Sequence, residues 1–262
     1  MSGECNMGAT KWPAGYVRFN LKPMIEILGE ADALVRLQRA YRDMPVDPYN
    51  RDAGRHRRLG RGLYFPWKST FEWMPDEFSE TGEAVTAFYQ GNHNPEHKGS
   101  TRYFASIGED TRNNAALLAM ITNATIRAEW SDYERRRPVV VGVHMVSQRV
   151  SEQQPVSVVT PKAVHQDGET YGYVHLVERQ NVEAGWNVVT DNEAIGLDPA
   201  AVPQDMTLQR FCLNEPLEGF GLRDAEVAHG VEPITLSPGC SSGFRNTVLI
   251  DLTPMREMPR DV

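Results

Sequence analysis

His165-Gln166-Asp167 places an imidazole and a carboxylate two positions apart, and a second imidazole, His229, follows far downstream. Two histidines and one carboxylate form the set that holds non-haem Fe(II) on one face, leaving metal positions open for a co-substrate and dioxygen. Side chains at i and i+2 of an extended chain point the same way. His165 and Asp167 can therefore reach one metal from one strand end, and Gly168 lets the chain turn away at once. The third ligand must come from elsewhere, and His229 in Ala228-His229-Gly230-Val231, just before a strand-like run over 231–236, is the candidate. An H-x-D pair alone is a weak signal. A surface histidine, a core histidine satisfied by an aspartate, and a hydrolytic zinc site are the competing readings. Zinc would prefer more His or Cys ligands, and His175 is the spare.

Beyond His229, Arg245-Asn246-Thr247 puts a guanidinium and a hydroxyl on one face of a strand. A guanidinium pairs with a planar carboxylate through two parallel hydrogen bonds, and a hydroxyl adds a third. This suits the distal carboxylate of 2-oxoglutarate, whose keto-acid end would chelate the iron. The alternative is a surface-strand arginine with a threonine beside it.

These residues need a scaffold, and the chain supplies one in two textures. Residues 23–41 place Met24, Ile27, Leu28, Ala31, Leu34, Val35 and Tyr41 near one face of a helix, with Gly29 as an internal weak point. Residues 48–104 mix short strands and loops. Asp110 is an expected N-cap for a second helix running on towards Tyr133. From Pro138 the chain turns β-rich, with strands expected over 139–146, 156–159, 171–177, 186–189, 207–213, 231–236 and 247–252. Short strands bounded by Gly, Pro, Asn and Asp predict a β-sandwich or barrel. The expectation is a single domain over 1–262, with a helical and irregular part over about 1–137 and a β core over about 138–254.

The net charge of -8 argues against a nucleic-acid partner, which needs a basic surface. The basic run Arg51-Asp52-Ala53-Gly54-Arg55-His56-Arg57-Arg58 is the exception. It reads either as a solvated loop or as anion-facing arginines near the mouth of the site. Three cysteines at no ligand or disulfide spacing, no apolar leader and no run near the roughly 18 apolar residues of a membrane span predict a soluble, cytoplasmic protein.

With these residues in place, the chain resembles the small bacterial 2-oxoglutarate/Fe(II) dioxygenases that hydroxylate free amino acids, the L-isoleucine 4-hydroxylase type. The resemblance is carried by Val164-His165-Gln166-Asp167-Gly168, by Val174-His175-Leu176-Val177-Glu178-Arg179-Gln180-Asn181, by Ala228-His229-Gly230-Val231-Glu232-Pro233-Ile234 and by Arg245-Asn246-Thr247-Val248-Leu249-Ile250. Tyr89-Gln90-Gly91-Asn92-His93-Asn94, Arg102-Tyr103-Phe104 and the Arg57-Arg58 pair also look like family segments, so the resemblance spans roughly residues 50–252. The chain departs from it at Ala184-Gly185, where the family often carries Gly-Gly, and over 147–163, which lacks a Gly-rich approach to the histidine. The resemblance implies a double-stranded β-helix (jelly-roll, cupin-like) core flanked by N-terminal helices. It implies Fe(II) on His165, Asp167 and His229, 2-oxoglutarate on Arg245 with Thr247, dioxygen as co-substrate, and succinate and CO2 as co-products. Related halogenases lose the carboxylate ligand; Asp167 is present, which implies hydroxylation.

The implied substrate is a free L-amino acid or, if a pipecolic acid hydroxylase belongs to the same group, a cyclic imino acid. Arg102 is the candidate for its carboxylate, Gln90 and His93 are nearby polar contacts, and Tyr103, Phe104 and Trp186 are candidate apolar walls. His175 is expected to orient a ligand or the co-substrate from behind. Competing functions are another oxidation at the same site (desaturation or epoxidation), hydroxylation of a peptide, and a non-enzymatic jelly-roll binding module.

Overall fold

The computed structural model describes residues 12, 14–89, 91, 98–159 and 161–256. The first strands are β1 (Tyr16–Asn20), β2 (Arg55–Phe65), β3 (Thr70–Trp73), β4 (Glu77–Phe78), β5 (Ala84–Tyr89) and β6 (Thr101–Ala105). Then come β7 (Val139–Ser151), β8 (Val156–Ser157), β9 (Tyr171–Gln180), β10 (Val182–Ala184) and β11 (Asn187–Thr190). The last are β12 (Thr207–Phe211), β13 (Glu218–Arg223), β14 (Ala228–Val231), β15 (Ile234–Leu236) and β16 (Ser242–Pro254). A seven-stranded sheet runs β1-β13-β9-β16-β7-β2-β3, and three-stranded sheets run β10-β15-β8, β12-β11-β14 and β4-β5-β6. Every pairing between these strands is antiparallel. The expected fold is present: a β-rich, double-stranded β-helix core. Strands β1 and β2, from the part expected to be helical and irregular, are members of the main sheet.

Alternation along the long strands explains how the main sheet buries both faces. On the outer face Val141, Val143, Met145, Tyr173, Val177, Val248 and Ile250 pack with Leu37, Tyr41, Leu117, Met120 and Ile121 from the helical segments in one core cluster. On the inner face Leu176, Phe220 and Leu222 meet Val189 and Phe211 of the β12-β11-β14 sheet in a second cluster. The inner face also carries His144, Gln148, Arg245 and Thr247, all buried. Buried polar groups are costly without partners, so a row of them marks where the fold serves chemistry rather than stability.

The expected first helix is two, α1 (Lys22–Leu28) and α2 (Ala31–Arg39). Gly29, at φ +67°, caps α1 in the left-handed region that glycine enters without steric cost. That break ruins the single apolar face. Ile25 and Leu37 are buried, while Ile27 is 85% exposed and Leu28 and Val35 also face outward. The expected second helix likewise splits, into α3 (Glu109–Arg112) and α4 (Ala115–Arg127). Asn114, not Asp110, caps the long one: its Oδ1 accepts from the Ala116 and Leu117 N–H groups at 2.9 and 3.2 Å. That helix stops at Arg127 rather than continuing to Tyr133.

Strand β13, Glu218-Gly219-Phe220-Gly221-Leu222-Arg223, was not expected because its glycines lower β propensity. They are there for close approach. A Cβ on Gly221 would meet the Trp12 and Tyr173 rings at 2.7 Å, and one on Gly219 would meet the Phe19 ring at 2.5 Å.

Candidate metal centre and cavity

His165 and His229 are locked together by the backbone. The His165 N–H donates to the His229 carbonyl at 2.9 Å and the His229 N–H to the His165 carbonyl at 3.0 Å. His229 lies within β14, two positions before the start of the strand run expected to follow it, and pairs on its other side with Val189 of β11. His165 is therefore held by one isolated bridge to an edge strand, not by a strand of its own. Its two-residue offset to Asp167 still works, because Asp167 follows in a turn that Gly168 completes at φ +87°.

The two rings stand 4.5 Å apart between centroids. Asp167 lies between them, its Oδ1 3.4 Å from His165 Nε2 and its Oδ2 3.5 Å from His229 Nε2. One ligand atom from each residue lies within 4.8 Å of the others. The His165 Nδ1 contacts the Ala163 carbonyl at 2.9 Å. A carbonyl only accepts, so Nδ1 carries the proton and Nε2 presents its lone pair to the cluster. A donor set of two imidazoles and one carboxylate, with the His165 tautomer fixed from behind, fits a non-haem iron.

The electrostatics suit a cation too. Burial would lower the His165 pKa, but the Asp167 hydrogen bond and charge outweigh it and raise it above the ordinary value. Burial and the neighbouring His165 push His229 down to about 4. Desolvation by the surrounding protein opposes ionisation of Asp167, whose side chain is still 45% exposed, yet the two histidines hold its carboxyl well below the usual range. A second carboxylate, Asp224, grips the turn: it accepts from the Asp167 N–H at 2.9 Å through Oδ1 and from the Gly168 N–H at 2.6 Å through Oδ2. Burial and the Asp167 charge raise Asp224 to about 6.

Asp167 and His229 open into a cavity of about 110 Å³ between the sheets. Its lining is partly cationic: Arg55, Arg57 and Arg102, all buried, line it together with Phe88. The basic run is thus split by strand alternation. Arg55 and Arg57 face the cavity from β2, whereas Arg51 is exposed and Arg58 bonds the Ser106 carbonyl. Arg55 pairs with the buried Asp47 at 3.3 Å. The Arg57 guanidinium carbon sits 4.1 Å above the Phe104 ring, and that of Arg102 lies 5.4 Å from both Phe88 and Phe104. Stacking on a ring leaves a guanidinium edge directed at a ligand. Burial, then the charges of Arg55 and Arg102, hold the Arg57 pKa well below its usual value. Arg57 Nη2 contacts His144 Nδ1, and His144 Nε2 contacts Asp251 at 2.7 Å.

Arg245 is buried on the inner face of β16, opposite Gln148 of β7, and donates to its Oε1 at 3.2 Å. Burial, with Arg179 nearby, lowers the Arg245 pKa to about 10, against an opposing effect of Cys212. Thr247 is buried two residues on, on the same face. The Ala184-Gly185 corner packs here: both residues are at positive φ, and a Cβ on Gly185 would lie 3.7 Å from Arg245 Cδ.

Other expected site residues are placed differently. His175 is on the outer face of β9, its ring 5.2 Å from Phe19, because Tyr173, His175 and Val177 share the face that packs on the helices. It does not meet the cluster it was expected to support. Trp186 is 44% exposed and does not line the cavity. Tyr103 points out of β6, opposite to Arg102 and Phe104. Gln90 and His93 lie outside the described residues. The sequence reading missed Asp224, Gln148 and the His144-Asp251 pair. No spacing links them to the ligands, and only the register of β7 with β16 could have found Gln148 and His144.

A family model described as 2OG-Fe dioxygenase matches residues 38–251. The chain belongs to that family. This 2OG-Fe dioxygenase therefore works with Fe(II), 2-oxoglutarate and dioxygen. Its fold is that of several solved structures. IDO from Bacillus thuringiensis is 19% identical, with a TM-score of 0.69 over 93% of this chain and 95% of that one. A bsmA homologue from Methylobium petroleophilum PM1 is 20% identical, with a TM-score of 0.72 over 92% and 89%. The Fe(II)/α-ketoglutarate-dependent dioxygenase TqaL is 16% identical, with a TM-score of 0.70 over 94% and 84%. No curated protein matches the chain. Among the described residues, no helix is long and apolar enough to cross a membrane.

Proposed function

We propose that this dioxygenase hydroxylates an unactivated C–H bond of a free L-amino acid or cyclic imino acid, with succinate and CO2 as co-products. His165, Asp167 and His229 hold the Fe(II), and Arg245 with Thr247 holds the distal carboxylate of 2-oxoglutarate. The observation that carries the substrate class is the cavity: about 110 Å³, lined both by Asp167 and His229 of the triad and by the buried Arg57 and Arg102. A recess this small favours a small molecule over an extended peptide. Its arginines favour one that carries a carboxylate.

Iron and 2-oxoglutarate, with dioxygen, supply the oxidising power when bound. The protein's residues do the rest. Arg102 and Arg57 fix the substrate carboxylate, and Glu169 and Asp251, which also line the cavity, offer acceptors for its ammonium group. Phe88, Val174, Leu222 and Leu249 wall the aliphatic part and exclude water, so that one C–H bond faces the metal.

The test is anaerobic loading with Fe(II) and 2-oxoglutarate, then air and a pool of free amino and imino acids, read by mass spectrometry. The expected result is succinate together with one pool member heavier by one oxygen, and neither with Asp167→Ala. Succinate formation that no amino or imino acid stimulates would overturn the substrate class.

A further inference from the structure

We propose that Asp224 is a positioning residue for the metal: its carboxylate sets the conformation of the turn that carries the carboxylate ligand, and so sets metal affinity. The inference rests on the assignment of His165, Asp167 and His229 as iron ligands.

The ligands are not equally well held. His229 sits in a strand with backbone pairing on both sides. His165 has its bridge to His229 and its Nδ1 bond to Ala163. Asp167 has neither strand nor side-chain support of that kind. Among the described residues, its side chain pairs with the two histidines. Its backbone is fixed by Asp224, which takes the Asp167 N–H on one oxygen and the Gly168 N–H on the other. The same residue's carbonyl accepts from Gln166 Nε2 at 2.6 Å, and Gln166 also reaches Asn192 Oδ1 at 3.2 Å. Each residue from Gln166 to Gly168 is thus tied to the one Asp224 position.

Asp224 sits in the connection between β13 and β14, four residues after Phe220 in the inner core and five before His229. It therefore couples the ligand turn to the strand that carries the third ligand. A buried carboxylate beside another carboxylate is unfavourable on its own. A divalent cation on Asp167 offsets that repulsion, so the arrangement makes sense as part of a metal site rather than as a turn-stabilising device. Groups behind metal ligands commonly contribute this way, and their loss costs about 10–100-fold in metal affinity.

The experiment is anaerobic calorimetric titration of the full chain with Fe(II), wild type against Asp224→Asn and Asp224→Ala, with the thermal melt of each metal-free protein as the control for folding. Asn keeps one acceptor oxygen and Ala none. The expected result is a metal Kd about 10-fold higher or more in the folded variants, with Ala at least as weak as Asn. A smaller rise in a folded variant overturns the proposal. His165→Ala in the same titration separates the two readings: if it binds Fe(II) as wild type does, the ligand assignment has failed, not the clamp. Should neither Asp224 variant fold, amide exchange of the wild type decides. The Asp167 and Gly168 amides are expected to be protected without metal and more so with Zn(II) as a diamagnetic stand-in. Free exchange of both amides overturns the proposal.

Discussion

Arg245 and Gln148 face each other across β16 and β7 at directly opposed register positions, and the guanidinium donates to the amide oxygen at 3.2 Å. Both are buried, with Thr247 close by on the same face. One amide thereby fixes the orientation of a cation that has no carboxylate partner among the described salt bridges. A buried, oriented guanidinium of this kind is prepared for an anion.

Arg245→Ala is expected to weaken 2-oxoglutarate while leaving the metal site intact. Losing one partner of a buried charge pair costs about 2–5 kcal/mol, or roughly 30-fold to a few thousand-fold in affinity. Titrating 2-oxoglutarate into the Fe(II)-loaded variant, and Fe(II) alone into the same protein, reads the two effects separately. An unchanged 2-oxoglutarate requirement would move the carboxylate grip elsewhere.

How much of this was legible in the residues follows from what each one needs. His165, Asp167 and His229 announce themselves because ligand chemistry restricts residue type, and backbone pairing then brings the distant histidine into place. Arg245 and Thr247 share a face by strand alternation alone. Arg57 could be read only as one of a basic run. Its inward direction depends on the register of β2 with β7, which sets Arg57 opposite Val146. His175 misled for the same reason. The turn at Gly168 separates its parity from that of Asp167, and the outer-face packing with Tyr173 and Val177 decides its side. Asp224 carries no signal in the chain, since an aspartate in a loop is ordinary until its two acceptor oxygens are seen on the ligand turn.

Arg102 and Arg57 stack on the same pair of rings, Phe88 and Phe104, so either could clamp the substrate carboxylate. Arg102 is the residue to substitute, because removing Arg57 would also take a contact from His144 in the same cavity wall. Arg102→Ala is expected to raise the substrate KM by about 30-fold or more, with the KM for 2-oxoglutarate nearly unchanged. Arg102→Lys should recover little, since an ammonium cannot reproduce the stacked, two-donor geometry. Steady-state kinetics with the substrate found in the amino-acid pool checks both, and an unaltered substrate KM in Arg102→Ala would place the carboxylate elsewhere in the cavity.

His175 gives a stability prediction with a definite sign. Burial, with Arg127 nearby adding to it, holds its folded-state pKa down to about 3, against an ordinary value near 6.5. Above pH 6.5 the ring is neutral in both states and its burial is fully compatible with folding. As pH falls from 6.5 towards 3, the unfolded chain takes up a proton that the folded protein cannot. This one group therefore lowers stability by up to about 1.4 kcal/mol per pH unit across that window. His144 and His229 are also depressed by burial and act in the same direction, so the useful quantity is a difference between proteins. His175→Phe keeps a ring against Phe19 and removes the titration. Denaturant unfolding at pH 7.5 and pH 5.0 should show a smaller loss of stability on acidification in His175→Phe than in wild type, and the variant's 2-oxoglutarate affinity should be unchanged because the ring lies on the outer face of β9. An equal acid loss in the two proteins would mean that His175 does not stay neutral in the fold; a weakened co-substrate would mean that it acts across the sheet.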